Sequence, residues 1–221
     1  MAVAAVLFDL DGTLVDTAPD LVAVLNRLLV ERGRARMPYA VARNEVSNGA
    51  RGLLQLGFGE RATPQEIEGL RPRFLEIYAE EVGAKSRLFI GLDYLDEVAS
   101  NVRLGIVTNK PDAFTRPLLA ALELAERVRC VVSGDRLPQR KPDPAPLKLA
   151  ADELGVAAAS CVYVGDALRD IEAGRAAGMA TIAAAYGYIR PREDPFGWGA
   201  DAVIRRPGDL GAALAALGGP P

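Results

Sequence analysis

The 221-residue chain contains no histidine. This absence excludes Ser-His-Asp and Cys-His catalysis, phosphohistidine chemistry and zinc sites built on imidazole. Any catalysis by this chain therefore has to use carboxylates, lysine, hydroxyl groups and a hard metal ion.

Cysteine is scarce, and the two cysteines, Cys130 and Cys161, each stand at the start of a short apolar run. A thiol in such a run is usually a small buried hydrophobic group. We expect both to be reduced and structural, with a disulfide or a metal role as the less favoured alternative.

Long apolar runs and an excess of basic charge are also lacking. No stretch approaches the roughly 18 apolar residues of a membrane span, and the N-terminus has no basic region before its apolar residues. The 26 basic residues nearly balance the 29 acidic ones, for a net charge of -3. We therefore expect a cytoplasmic monomer or homodimer that binds neither nucleic acid nor membrane.

Six short apolar runs are present, with helical segments between them, at residues 4–8, 104–107, 128–132, 162–164, 181–185 and 202–204. All-apolar strands that alternate with helices indicate a parallel sheet that is covered on both faces. The sequence therefore predicts an α/β fold with a Rossmann-like parallel sheet.

The first two runs are far apart, which indicates a helical insertion between them. Leucines at helical spacing predict one helix, N-capped by Thr17, that ends at Gly33, and a second apolar stripe predicts a helix over 64–82. We expect a core domain of residues 1–16 and 88–221 and a helical cap domain of residues 17–87. Hinges are expected near Asp16 and near residues 85–91.

The first run ends in FDLDGT, which places Asp9 and Asp11 at the carboxyl end of a strand. Ligands of open α/β sheets bind at these strand ends. Two carboxylates at i and i+2 repel each other unless a cation lies between them or one of them keeps its proton. A solvated acidic turn is the alternative, because Asp-Gly is common in turns.

Later strand ends carry further polar groups. The second run ends in VTNK, where Thr108 and Asn109 offer a hydroxyl and backbone N–H groups to phosphate oxygens. Lys141 stands in RKPDP, between rigid prolines. Each feature alone has an ordinary explanation, as a helix cap or as a surface charge. The evidence for a phosphate-binding site is that all of them are expected at the same edge of the sheet.

The fourth run ends in VYVGDALRD, with Asp166 and Asp170 one helical turn apart. Taken alone, this pair fits N-capping of a helix. Together with Asp9 it supplies only oxygen ligands, which suit Mg²⁺. In that site, Lys141 would offset the charge of an anionic nucleophile and a phosphate.

With these motifs in order over essentially the whole chain, the sequence resembles the haloacid dehalogenase superfamily of phosphatases. The resemblance implies a nucleophilic Asp9, and Asp11 as general acid and then base. It also implies that Thr108 and Lys141 bind phosphate, with Asn109 beside them as a further candidate. Mg²⁺ would be held by Asp9, the backbone carbonyl of Asp11 and Asp166, with Asp170 supporting it directly or through water. Ala167 departs from the pattern, since many relatives have Asp or Ser there, which puts the metal affinity in doubt.

Within the superfamily, the chain resembles the phosphoglycolate phosphatase branch. The segments VSNGARGLL, GDALRDIEAG and YGYIRPREDPFGWGAD are similar to those of N-acetylmuramate 6-phosphate phosphatases. The expected substrate is a small phosphorylated metabolite that carries a carboxylate, with a broad-specificity sugar phosphatase as the alternative. Ser47, Asn48 and Arg51 of the cap are candidates for substrate recognition, and we expect Arg51 to pair with the substrate carboxylate. The loop over 186–198 either lines the entrance or covers a sheet edge.

Two other classes use similar residues. A phosphoaspartate receiver domain also places acidic residues, Thr and Lys around Mg²⁺, but its acceptor follows a later strand and it has no cap. A silent binding module on this fold is disfavoured because every expected catalytic side chain is present.

Overall fold

A six-stranded parallel sheet forms the centre of the protein, in a computed structural model that describes residues 2–59 and 62–219. The strands of the chain are β1 Ala5–Phe8, β2 Val15–Asp16, β3 Arg87–Leu88, β4 Arg103–Val107, β5 Cys130–Val132, β6 Cys161–Gly165, β7 Ala180–Ala184 and β8 Ala202–Ile204. The sheet has the order β5-β4-β1-β6-β7-β8. Each of the six runs overlaps one strand of this sheet, and the predicted α/β fold is confirmed.

Both faces of the sheet are covered, which explains why its strands are predominantly apolar. Val6 and Phe8 of β1 pack on one side, whereas Ala5 and Leu7 pack on the other, because successive side chains of a strand point to opposite faces. The first side also holds residues of α5 (Leu92–Asn101), α6 (Asp112–Ala121) and α9 (Leu210–Ala216). The second holds residues of α7 (Ala145–Leu154) and α8 (Leu168–Ala176).

Four helices precede β3 and share a hydrophobic core of their own: α1 Ala18–Glu31, α2 Tyr39–Ala42, α3 Gly49–Phe58 and α4 Pro64–Glu81. The two long helices match the predicted segments. Thr63 and Glu66 form a capping box at the start of α4. Thr17 stands at the N-cap position of α1, but the prediction that it caps this helix is wrong, since its hydroxyl donates to Asp11 instead.

Two chain segments connect these helices to the sheet, and they pair with each other as β2 and β3. Beside them, the buried Asp20 of α1 accepts hydrogen bonds from the backbone N–H groups of Gly83, Lys85 and Ser86 and from the Ser86 hydroxyl. The residues after α4 are therefore fastened to the start of α1. The domain boundaries at 17 and 87 stay a prediction.

Two composition-based expectations concern burial. Cys130 and Cys161 are both buried and free, as expected for small hydrophobic groups. Among residues 2–59 and 62–219, no helix is both long enough and apolar enough to cross a membrane.

Candidate active site

The carboxyl ends of β1, β4 and β6 place buried polar residues at one edge of the sheet. Asp9 follows β1, Thr108 follows β4 and Asp166 follows β6. The loop after β5 brings Lys141 to the same edge, where it is only 4% exposed. The sequence prediction that these residues lie together agrees with the structure.

Lys141 is the central cation of this site. Its Nζ lies 2.9 Å from Oδ1 of Asp9 and 2.8 Å from Oδ1 of Asp170. It also donates to the Val107 carbonyl at 3.0 Å and to the Tyr163 hydroxyl at 2.6 Å. Burial alone lowers the pKa of Lys141, but Asp170 and Asp9 more than compensate and raise it. The lysine is therefore charged and holds two buried carboxylates together.

Asn109 positions Lys141. The Asn109 Nδ2 donates to the Lys141 carbonyl at 3.1 Å, and the Lys141 N–H donates to the Asn109 Oδ1 at 3.1 Å. Both ends of the Asn109 side-chain amide are thus occupied, and the role of Asn109 in phosphate binding stays a prediction. Its backbone N–H makes no hydrogen bond within residues 2–59 and 62–219 and remains a candidate.

Three carboxylates, from Asp9, Asp166 and Asp170, offer oxygen atoms that lie within 4.8 Å of one another. Burial, with the neighbouring charges of Asp9 and Asp170, raises the pKa of Asp166 to about 7. Burial raises the pKa of Asp170 as well, although Lys141 opposes this change. Like charges so close call for a cation, and an all-oxygen donor set fits Mg²⁺.

Asp11 is not part of this cluster. Its Oδ1 accepts hydrogen bonds from the Thr17 hydroxyl at 2.6 Å and from Lys110 Nζ at 3.0 Å. Lys110 in turn lies over the ring of Tyr78 on α4. Each aspartate of the first motif has its own lysine, Lys141 for Asp9 and Lys110 for Asp11, and these cations offset the repulsion between the two carboxylates. The metal-ligand role of Asp11, expected through its backbone carbonyl, stays a prediction.

Gly12 allows the first motif to approach the Asp166 carboxylate. Its φ of 88° lies in the left-handed region, and a Cβ atom at this position would overlap with Oδ2 of Asp166. A side chain here would therefore displace a candidate metal ligand.

The start of α8 explains how Ala167 is tolerated. Ala167 is the N-cap residue, and its backbone N–H donates to Oδ2 of Asp170 at 3.0 Å. Asp166 lies before this N-cap position, so the alternative in which it caps the helix is wrong. Position 167 contributes its backbone to the site and not its side chain.

The region predicted to be a helical cap contributes residues to this site from 43–48, which we call the cap segment, and from α3 and α4. Ser47 and Asn48 of the cap segment and the exposed Arg51 of α3 all line a cavity of about 490 Å³ that contains Asp9 and Asp11. The Ser47 hydroxyl donates to Oδ2 of Asp166 at 2.8 Å. The cavity walls also include charged and apolar residues: Lys110, Arg140, Arg169, Glu68, Arg71, Leu21, Val46, Phe74, Leu75, Tyr78 and Phe114.

Several residues of the site were not predicted from the sequence. Tyr163 lies within the apolar run of β6, and its hydroxyl contacts Lys141. Arg169 donates to the Ser47 carbonyl at 2.7 Å, and the Tyr188 N–H donates to Asp166 Oδ2 at 2.9 Å. Tyrosine in an otherwise aliphatic strand was the one usable signal, because a buried hydroxyl needs a partner. The loop over 186–198 thus holds a core carboxylate, which neither prediction for it anticipated.

Comparison with known proteins identifies the family. The family model described as haloacid dehalogenase-like hydrolase matches residues 6–184. The chain belongs to the haloacid dehalogenase-like hydrolases. The predicted superfamily is confirmed.

Curated relatives of this hydrolase are phosphatases. An N-acetylmuramic acid 6-phosphate phosphatase of Pseudomonas putida is 43% identical over 95% of each chain. A phosphoglycolate phosphatase of Xanthomonas campestris is 43% identical over 93% of this chain and 94% of that one. The prediction that the chain is a phosphoric monoester hydrolase is confirmed at this level.

Solved structures agree with the fold. The crystal structure of a predicted phosphoglycolate phosphatase from Haemophilus somnus is similar, with a TM-score of 0.82 and 28% identity. The match spans 95% of this hydrolase and 96% of the chain from Haemophilus somnus.

Proposed function

We propose that the hydrolase is a Mg²⁺-dependent phosphomonoesterase that forms an aspartyl-phosphate on Asp9. The observation that carries this proposal is the pairing of Asp9 with Lys141 within a cluster of three buried carboxylates. Lys141 fixes one oxygen of Asp9 and offsets negative charge when a phosphate group enters the cavity.

The reaction takes two steps. An oxygen of Asp9 attacks phosphorus, the bond between phosphorus and the ester oxygen breaks, and Asp11 gives a proton to the leaving alkoxide. A water molecule then attacks the same phosphorus and gives a proton to Asp11. The bond between phosphorus and the Asp9 oxygen breaks, so inorganic phosphate is released and Asp9 is restored. Thr108, at the end of β4, and the backbone N–H of Asn109 would bind phosphate oxygens.

Mg²⁺ fits the donor set of Asp9, Asp166 and Asp170, and when bound it supplies positive charge that screens the phosphate from these carboxylates. The protein contributes the arrangement of the ligands. The Asp166 Oδ2 accepts hydrogen bonds from Ser47 and Tyr188. Its Oδ1 accepts one hydrogen bond from the residues that the structure describes, from Thr13 at 3.4 Å. Oδ1 is therefore the oxygen that is left for a cation.

The test of the reaction type is direct detection of the intermediate. The enzyme is mixed with Mg²⁺ and p-nitrophenyl phosphate, quenched in acid, and measured by intact mass. We expect a fraction of the chains to carry one phosphoryl group, located on Asp9, and we expect neither the adduct nor turnover with Asp9→Asn. Turnover by Asp9→Asn at the wild-type rate would contradict the proposal.

For the substrate, we propose a phosphorylated metabolite larger than phosphoglycolate that carries a carboxylate, with N-acetylmuramate 6-phosphate as the best match. The cavity of about 490 Å³ lies in the range of sites that enclose ligands of drug size. Its apolar wall, from Leu21, Phe74 and Phe114, suits the carbon skeleton of a sugar, which glycolate lacks.

Arg51 is our candidate for recognition of the substrate carboxylate, because a guanidinium binds a carboxylate in a two-pronged geometry. Arg51→Ala should raise KM for N-acetylmuramate 6-phosphate by about tenfold and leave KM for p-nitrophenyl phosphate unchanged. Arg32→Ala, an exposed arginine at the end of α1, is the control. Equal effects on both substrates would contradict this assignment.

A direct comparison of substrates separates the branches of the family. Phosphate release from N-acetylmuramate 6-phosphate is measured beside release from 2-phosphoglycolate, with Asp9→Asn as the blank. Preference for the sugar phosphate supports our proposal, and preference for phosphoglycolate overturns it while the phosphatase activity stands. Broad activity on many sugar phosphates would favour the alternative of a broad-specificity enzyme.

A further inference from the structure

Ser47 of the cap segment contacts the metal ligand candidate Asp166 and its neighbour in α8, Arg169. Its hydroxyl donates to Oδ2 of Asp166 at 2.8 Å, and its carbonyl accepts from Nη2 of Arg169 at 2.7 Å. From the sequence, Ser47 is a candidate for substrate recognition. The structure directs the hydroxyl to a candidate metal ligand.

The rest of the cap segment contacts the loop that follows β7. Arg43 donates to the carbonyls of Gly187 and Tyr186, at 3.0 and 3.2 Å, and its guanidinium lies 4.8 Å from the centre of the Tyr188 ring. This loop itself reaches the metal cluster, since the Tyr188 N–H donates to Asp166 Oδ2 at 2.9 Å. The cap segment therefore supports Asp166 both directly and through this loop.

Arg190 and Glu45 add a third connection, with 3.0 Å between Nη2 of Arg190 and Oε2 of Glu45. An ion pair as exposed as this one contributes little stability by itself. It lies next to the Ser47 contact along the chain, and it limits the positions that the cap segment can take on the core.

We propose that Ser47 is a positioning residue for the metal ligand Asp166, so that Mg²⁺ binding and docking of the cap segment stabilise each other. The inference rests on the proposed Mg²⁺ dependence. Hydrogen bonds to the oxygen that does not face the metal fix the orientation of a ligating carboxylate, and their loss typically weakens metal binding 10- to 100-fold. Because binding linkage is reciprocal, the metal stabilises the docked segment by the same factor.

Calorimetric titration with MgCl₂ tests the first half without any assay of activity. We expect Ser47→Ala to bind Mg²⁺ about tenfold more weakly than the wild type. Ser47→Thr keeps the hydroxyl and should restore the affinity. Ser100→Ala, on the exposed surface of α5, is the matched control and should bind as the wild type does.

Hydrogen exchange of the intact protein tests the second half of the proposal, that Mg²⁺ stabilises docking of the cap segment. The amides of residues 43–48 should exchange more slowly with MgCl₂ than with a chelator, and the difference should shrink in Ser47→Ala. Wild-type protein that binds no Mg²⁺ would overturn the proposed metal dependence itself. Equal Mg²⁺ affinity of wild type and Ser47→Ala, with no effect of the metal on exchange in 43–48, would overturn only the present inference.

Discussion

The ammonium group of Lys110 lies 3.0 Å from the Asp11 carboxylate, and both side chains are largely buried. The Tyr78 ring of α4 covers Lys110 at 4.7 Å, so a cap residue packs against the partner of the proposed general acid. Burial alone lowers the pKa of Lys110, but Asp11 and Tyr78 raise it above the ordinary value. A charged lysine held in this way fixes the orientation of Asp11 at the edge of the cavity.

Replacement of Lys110 should therefore impair proton transfer to the leaving group. The value of kcat/KM reports the steps through phosphoryl transfer to Asp9, and an alkoxide needs a proton in that step whereas p-nitrophenolate does not. We expect Lys110→Met to lower kcat/KM about tenfold more for an alkyl phosphate than for p-nitrophenyl phosphate, as measured by initial rates with saturating Mg²⁺.

Two variants make this result specific. Lys110→Arg keeps a cation beside Asp11 and should recover part of the loss, and Lys148→Met, on the exposed face of α7, should change neither substrate. An equal loss for both substrates would show that Lys110 supports the site only structurally.

Lys141 should be a large determinant of stability as well as of activity. Its loss leaves Asp9 and Asp170 as neighbouring buried carboxylates that no longer have the ammonium group between them. We expect Lys141→Met to lower the free energy of unfolding by about 3–5 kcal/mol in chelator, measured by urea titration. The double variant Lys141→Met, Asp170→Asn should recover part of this stability. A destabilisation below about 1 kcal/mol by Lys141→Met alone would contradict the ion-pair geometry.

The sequence was informative about which residues lie at the active edge of the sheet. Apolar runs identify the strands, and polar residues that follow a parallel strand must lie at its carboxyl end, so Asp9, Thr108, Lys141 and Asp166 could be brought together without a structure. Family motifs then suggested their roles.

Pairing among these polar residues could not be read from the sequence. Asn109 and Lys110 are neighbours in one motif, yet one holds the Lys141 backbone and the other the Asp11 side chain. Thr17 fits a helix cap by residue type, but its hydroxyl donates to Asp11, six residues earlier in the chain. The choices made by Asn109 and Lys110 depend on distances between segments that are remote in the chain.

Asp20 offers a prediction about the connection between the helices and the sheet. Its buried carboxylate accepts hydrogen bonds from Gly83, Lys85 and Ser86, at 2.6–3.2 Å. Asp20→Ala leaves these donors without a partner and should lower the free energy of unfolding by about 3 kcal/mol, measured by urea titration.

Hydrogen exchange should show where the loss acts. In Asp20→Ala, the amides of residues 83–86 should exchange faster, while those of β1 and β6 should follow only the change in global stability. The exposed Asp152 of α7 provides the control variant Asp152→Asn. Unchanged exchange at 83–86 would mean that this carboxylate does not fasten the connection.

Asp166 should make the metal-free protein less stable as the pH rises. Burial, Asp9 and Asp170 raise its folded-state pKa to about 7, above the value of about 3.9 in an unfolded chain. The folded state thus binds more protons between these values, so this group reduces stability as pH rises through that interval. Asp166→Asn removes the charge and should stabilise the chelated protein more at pH 8 than at pH 5, by on the order of 2 kcal/mol.

The same variant separates two effects of the carboxylate cluster, which are destabilisation of the metal-free protein and binding of Mg²⁺. Saturating Mg²⁺ should raise the free energy of unfolding of the wild type at pH 8 and should have little effect on Asp166→Asn, because the cation relieves a repulsion that the variant lacks. Asp152→Asn should behave as the wild type under each condition. Chelated Asp166→Asn that is less stable than the wild type at pH 8 would mean that the hydrogen bonds from Ser47 and Tyr188 outweigh the repulsion by Asp9 and Asp170. If chelated Asp166→Asn is instead more stable than the chelated wild type, and by more at pH 8 than at pH 5, the cluster is a site that is maintained for metal binding at the expense of folding stability.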